Sequence, residues 1–173
     1  VKLIEQGNLV AECVELLASI EGGVRGSKGG LSGDFKAQVS ANQVGLSRMV
    51  EWLESVDRGV EWFHEGLLAL NGYGKSLAYA SLSKLPDGRV QFEDFLDGDG
   101  FGVEKIKVAL DLEVRRGKLK LDFSGTDDQV AGNVNCPLSV CAASVYYVIV
   151  CLLPDYVPCC QGVFDHLEVS APL

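Results

Sequence analysis

The hydrophobic period changes part-way along the chain, and that change limits the possible folds more than any other feature. Before about Lys75, apolar residues recur every three or four positions. In residues 9–20 they stand at Val10, Cys13, Val14, Leu16, Leu17 and Ile20. Behind Asp34 they stand at Ala37, Ala41, Val44, Leu46, Met49, Val50 and Leu53. This spacing lines one face of a helix. From Lys75 onward the period becomes two, the mark of strands with one buried face. Residues 138–153 then form a 16-residue stretch of almost unbroken apolar character, closed by Pro154. Helices, then strands, then a helix predict an α+β fold: N-terminal helices, antiparallel hairpins and a buried C-terminal helix.

Local signals set the expected boundaries. Asp34 reads as the N-cap of a helix beginning near Phe35. Asp57-Arg58-Gly59 interrupts it, and a second helix over 60–70 is predicted to stop at Asn71-Gly72. A first hairpin is expected from 75–85, where Leu77, Tyr79, Ser81 and Ser83 alternate into Leu85. It would turn at Pro86-Asp87-Gly88 and return through 89–95. A second pairs 105–114 with 118–123 around Arg115-Arg116-Gly117, followed by a polar loop over 124–135 and a last strand near 163–170. The stretch EGGVRGSKGG, with five Gly in ten residues, predicts irregular structure. At 173 residues and ~150 residues per domain, residues 1–173 are expected to be a single domain.

Charge excludes one class of partner. Fifteen Lys and Arg against 24 Asp and Glu give a net charge of −9, opposite to what a phosphate backbone attracts, so no nucleic acid is expected. A mean hydropathy of +0.17 is too high for a disordered chain. The 138–153 run contains Ser139 and Ser144 and falls short of the ~20 residues that span a bilayer, so no membrane segment is expected. No basic segment followed by an apolar run opens the sequence, so a cytoplasmic location is expected. Six cysteines, at 13, 136, 141, 151, 159 and 160, include no CxxC pair. They read as buried, reduced, small apolar side chains, and no metal is expected.

Three motifs invite chemistry that their context does not support. Gly74-Lys75-Ser76 resembles the end of a phosphate-binding loop, but Ala69 stands where that loop needs glycine. Asp97-Gly98-Asp99-Gly100 would put Phe101 and Val108 at the fifth and twelfth positions of a calcium loop, where oxygen ligands belong, and reads as a solvated acidic turn. His64 falls on a helix surface. His166 is next to Asp165, but neighbours on a strand point to opposite faces.

Two polar clusters carry more. In the first, Asp34, Gln38 and Asn42 follow one another at helical spacing, so Gln38 and Asn42 share a face above Asp34. Capping and solvent exposure, or a polar wall of a cleft, both fit. The second spans 122–135 and holds eight carboxylate, hydroxyl or amide side chains with two glycines. Its members are Asp122, Ser124, Gly125, Thr126, Asp127, Asp128, Gln129, Gly132, Asn133 and Asn135. A polar loop at a strand end can bind a small polar molecule, and turns use the same residues.

The strings GDFKAQVSANQVG, LPDGRVQFEDFLDGDG and DFSGTDDQVAGNVNCP, in this order and spacing, resemble the B-type subunit of the hydantoinase/oxoprolinase family, whose relatives include acetone and acetophenone carboxylase subunits. The resemblance runs over essentially the whole chain, which it implies to be an internal fragment of a longer one. It implies ATP-dependent hydrolysis of a cyclic amide C–N bond, or, in the carboxylase relatives, activation of a ketone and bicarbonate. A third possibility is an assembly module of such a complex without catalytic residues. An A-type partner would handle ATP, leaving no cofactor in this fragment, and the fragment alone is expected to be inactive. The family's positions map onto Gly33, Asp34, Ala37, Gln38, Gly45, Asp122, Ser124, Gly125, Thr126, Gln129, Gly132 and Asn135, with substrate hydrogen bonding as the implied role. One departure stands out: in the late PxNxG motif this chain has Cys160 between Pro158 and Gly162, where the family usually has Asn.

Overall fold

The computed structural model describes residues 2–19 and 33–172, so the glycine-rich EGGVRGSKGG stretch lies outside the described residues. Contacts divide the chain into two units, Val1–Trp62 and Phe63–Leu173. The first opens with a hairpin the sequence did not suggest. Strands β1 (Ile4–Glu5) and β2 (Asn8–Leu9) pair antiparallel. Between them Gln6 and Gly7 both take positive φ, 49° and 83°, as a two-residue hairpin turn requires. Helix α1 follows over Ala11–Ser19, and α2 runs over Gly33–Ser55. Asp34 lies inside the first turn of α2 and so does not cap it as expected. The predicted break after α2 is present: the helix stops at Ser55, and Gly59 resumes the chain at a φ of +74°.

Helix α3 (Gly59–Leu82) corrects the largest sequence expectation. It does not stop at Asn71-Gly72, and residues 75–82 are helix instead of the first arm of a hairpin. The buried residues of α3 are Gly74, Ala78 and Leu82, four apart, so the packed face has helical period. The alternation from Leu77 to Leu85 was coincidental.

With that arm gone, β3 (Gly88–Gly98) pairs antiparallel with β4 (Glu104–Arg115), from Gly88 opposite Val114 to Gly98 opposite Glu104. The β4–β5 hairpin forms as predicted: β5 (Lys118–Asp122) returns around Arg116 and Gly117, both at positive φ. Helix α4 (Leu138–Leu152) then crosses over to β6 (Leu167–Ser170), which lies parallel to β5. The strand order is β3-β4-β5-β6. The start of the expected last strand is instead a short 3-10 turn over Gln161–Phe164. Among the described residues, no helix is long and apolar enough to cross a membrane.

The core of the second unit joins Leu82 of α3, Leu119 and Leu121 of β5, and Val145 and Ile149 of α4. Leu110, Leu112, Val114, Leu167 and Val169 pack around them. All the strand residues among these share one sheet face; the other carries Arg89, Asp111, Glu113, Lys120 and Glu168. Helix α4 is not buried throughout, as expected, but only on one side. Val145 and Ile149 are buried, whereas Tyr147, Val148 and Leu152 are 72%, 56% and 62% exposed. The helix has no charged residue on any face, so its composition could not mark which side packs.

Candidate functional site

The polar loop begins where β5 ends, and backbone geometry explains its course. Strand β4 is longer than β5, so the backbone groups of Lys107 and Ala109 extend beyond the last β5 pairing. The loop satisfies them in place of a strand. Thr126 Oγ1 accepts the Ala109 N–H (3.1 Å) and donates to its carbonyl (3.2 Å). Asp127 Oδ2 accepts the Lys107 N–H (2.7 Å), and the Asp127 N–H donates to the Lys107 carbonyl (3.0 Å). Pairing of buried or edge backbone groups is near-obligatory, so these contacts fix the loop.

Three of the candidate site residues are used in the same way. Asp122 Oδ1 accepts the Ser124 N–H (3.0 Å) and the Ser170 hydroxyl (2.9 Å), tying the end of β5 to β6. Hydrogen bonds from Ser124, side chain and backbone, and then from Ser170, hold its carboxyl below the ordinary range. Asn135 Oδ1 accepts the Val130 N–H (3.0 Å), while its Nδ2 donates to the carbonyls of Val130 (2.8 Å) and Gly132 (3.1 Å). Thr126 is committed to β4. Ser124, Gly125, Asp128 and Gln129 are exposed. A Cβ at Gly125 would stand 3.1 Å from that of Ala109, so this backbone runs close to the strand. Asp34, Gln38 and Asn42 lie together on α2 at four-residue spacing, all exposed. They belong to the first unit and the loop to the second.

The other motifs resolve as packing. Gly74-Lys75-Ser76 is interior to α3 and forms no phosphate loop, so these residues do not fit a nucleotide. A Cβ on Gly74 would lie 2.5 Å from Cys160 Sγ, and Lys75 Nζ pairs with Asp165 (3.1 Å). His166 Nε2 donates to the Lys75 carbonyl (3.2 Å), and its ring sits 5.2 Å from that of Tyr79. His166 and Asp165 thus fasten the segment before β6 to α3. Cys160, at the family's usual Asn position, packs on α3 with its Sγ 3.6 Å from the Leu70 carbonyl. The six cysteines are free, but none is buried as expected; Cys136, Cys151 and Cys159 are exposed. Among the described residues no group of three or more His, Cys, Asp or Glu side chains could hold a metal ion.

Sequence reasoning named Asp99 and Asp127 without their anchoring roles and missed Ser170. Asp99 is the clearest correction: it is not solvated but 6% exposed. The aspartate of a turn and the aspartate of an anchor look alike in sequence, and only the 33-residue separation from its loop partner Gly132 distinguishes them.

The sequence profile of the hydantoinase B/oxoprolinase family matches residues 1–173, the whole chain. The chain belongs to that family. It is 32% identical to 5-oxoprolinase 1 of Arabidopsis thaliana over 80% of its own length and 12% of that protein. It is 26% identical to a candidate B subunit of a D-/L-hydantoinase from Pseudomonas sp. (strain NS671), covering 81% of this chain and 25% of the relative. The ATP-dependent caprolactamase of Pseudomonas jessenii has the same fold, with a TM-score of 0.71 and 21% identity. That match covers all of this chain and 29% of the solved one. This hydantoinase B/oxoprolinase chain therefore spans between 12% and 29% of the length of these relatives.

Proposed function

We propose that this chain is part of the B component of an ATP-dependent enzyme that opens a cyclic amide by hydrolysing its C–N bond. The observation that carries the reading is the family match over all 173 residues, which takes in the DFSGT-Asp-Asp-Gln loop at the end of β5. The names of the relatives, an oxoprolinase and a hydantoinase component, support a lactam-type substrate. A lactam carbonyl resists water because nitrogen donates into it. ATP would supply a phosphoryl group to the amide oxygen, which makes the ring carbon electrophilic enough for water to add and the C–N bond to break, with phosphate released afterwards by hydrolysis; we assign ATP binding to an A-type partner.

The role left to this chain is to bind and orient the substrate. Gln129 offers an exposed amide, a neutral donor of the kind that stabilises a developing oxyanion; Ser124, whose hydroxyl donates to Asp122, offers its exposed oxygen, and Gly125 allows close backbone approach. Asp122, Thr126 and Asn135 shape the loop. Asp34, Gln38 and Asn42 form a separate row of candidate contacts on α2. We place the protein in the cytoplasm and residues 1–173 within one domain of a longer chain.

The test is ATP hydrolysis by the complete protein with its A-type partner, stimulated in turn by 5-oxoproline, hydantoins, and acetone with bicarbonate. Stimulation by a lactam without bicarbonate is the expected result; stimulation only by ketone with bicarbonate makes the protein a carboxylase component instead. A second reading, an assembly module, is favoured by the exposed apolar stripe of Tyr147, Val148 and Leu152 on α4. Under that reading, substitutions in the 124–129 loop leave turnover unchanged.

A further inference from the structure

We infer that Asp99 is a positioning residue: its buried carboxylate clamps the polar loop after β5 to the β3–β4 turn and so holds Gln129 in place. The inference rests on the loop having the substrate role proposed above. Asp99 lies at the start of the β3–β4 turn and is 6% exposed. Its Oδ1 accepts the N–H groups of Phe101 (2.8 Å) and Val103 (3.1 Å), which closes that turn. Its Oδ2 accepts the N–H of Gly132 (3.3 Å), 33 residues along the chain. The approach is close enough to require glycine: a Cβ on Gly132 would stand 2.2 Å from the Asp99 carbonyl oxygen and 2.6 Å from its Cβ.

From Gly132 the clamp passes to the exposed end of the loop. The Gly132 carbonyl accepts from Asn135, which also binds both backbone groups of Val130. On the other side Thr126 and Asp127 are fixed to β4. Asp128 and Gln129 therefore arch between two anchors, one on β4 and one on Asp99. Three backbone N–H donors keep the carboxylate ionised below its ordinary range despite burial, the largest effect coming from Phe101. A carboxylate is needed because its two oxygens serve two different segments. Asparagine can keep one oxygen for Phe101 and Val103, but it turns an NH2 toward the Gly132 N–H.

The experiment uses Asp99→Asn and, independently, Gly132→Ala in the complete protein with its partner, followed by hydrogen exchange and by steady-state kinetics. In both variants, amide exchange across 128–135 is expected to quicken by about 10-fold or more. In Asp99→Asn the amides of Phe101 and Val103 keep their protection, which separates a released loop from general unfolding. KM for the lactam rises about 10-fold or more with a smaller change in kcat, since the loop orients substrate. Unchanged exchange across 128–135 in both variants overturns the clamp. Faster exchange with an unchanged KM overturns the positioning role. If the unsubstituted protein opens no lactam, the functional reading fails by itself, and the exchange data still decide the clamp.

Discussion

Replacing Gly162 with alanine probes how closely the 3-10 turn before β6 is seated on α3. Gly162 is buried, and an added Cβ would stand 2.0 Å from the Asn71 carbonyl oxygen, 2.7 Å from its carbon and 2.9 Å from its Cα. The closest of these is about 1.4 Å short of ordinary contact. All three atoms are helix backbone, so no side chain can rotate away and the turn must lift off α3. That movement also stretches the hydrogen bond from the Gly162 N–H to Asn71 Oδ1, now 3.1 Å. Overpacking costs ~1–3 kcal/mol and the weakened bond ~0.5–1.5 kcal/mol, so a loss of about 2–4 kcal/mol is expected. Urea or guanidinium denaturation measures it, as does a fall in Tm of roughly 5–15 °C for a chain of this size. Gly72→Ala is the control one residue beyond Asn71. Its Cβ meets nothing within 4 Å, so better helix propensity should stabilise by ~0.5–1 kcal/mol. A Gly162→Ala protein within ~0.5 kcal/mol of the parent, the spread of ordinary surface changes, would refute the reasoning.

Gly74→Ala places a Cβ 2.5 Å from Cys160 Sγ, a side chain instead of backbone. It should cost ~1–3 kcal/mol, and adding Cys160→Ala should recover most of this, a coupling read from a double-mutant cycle. Asn135→Ala removes three hydrogen bonds to Val130 and Gly132; a stability loss of ~1–3 kcal/mol and faster exchange of the Val130 amide are expected. Arg89 and then Gln91 donate to Asp111 and lower its carboxyl from 3.8 to about 2. The stabilisation is therefore present above the ordinary carboxylate value and is lost as pH falls from about 4 toward about 2. Denaturation midpoints of Asp111→Asn should accordingly fall less steeply than the parent's across that window.

What was legible in the sequence follows from where local signals agreed with tertiary contacts. The β4–β5 hairpin was readable because alternation in both arms flanked Arg116-Gly117, whose positive φ values the turn demands. Helix α4 was readable from its length and closing proline. Helix α3 was not. Asn71-Gly72 has the form of a helix stop, yet Gly72 sits in open space and Asn71 and Gly74 are contact points for Gly162 and Cys160. Both glycines lie within the helix, and one serves packing against a segment some 90 residues away, a relation no local window contains. The same limit applied to the loop. Sequence marked 122–135 as polar and specific, but only the fold separates Asp122, Thr126 and Asn135, which hold the loop, from Ser124 and Gln129, which it exposes.

The central claim is that this loop meets the substrate, and kinetics of the complete protein with its A-type partner test it most directly. Ser124→Ala and Gln129→Ala would be compared with the parent in lactam-dependent ATP hydrolysis, with Tm measured alongside. The account predicts a loss of about 10-fold or more in kcat/KM for Gln129→Ala at an unchanged Tm, since its side chain is exposed. Parent-like kinetics in both variants would contradict it and leave the loop a purely structural edge of the sheet.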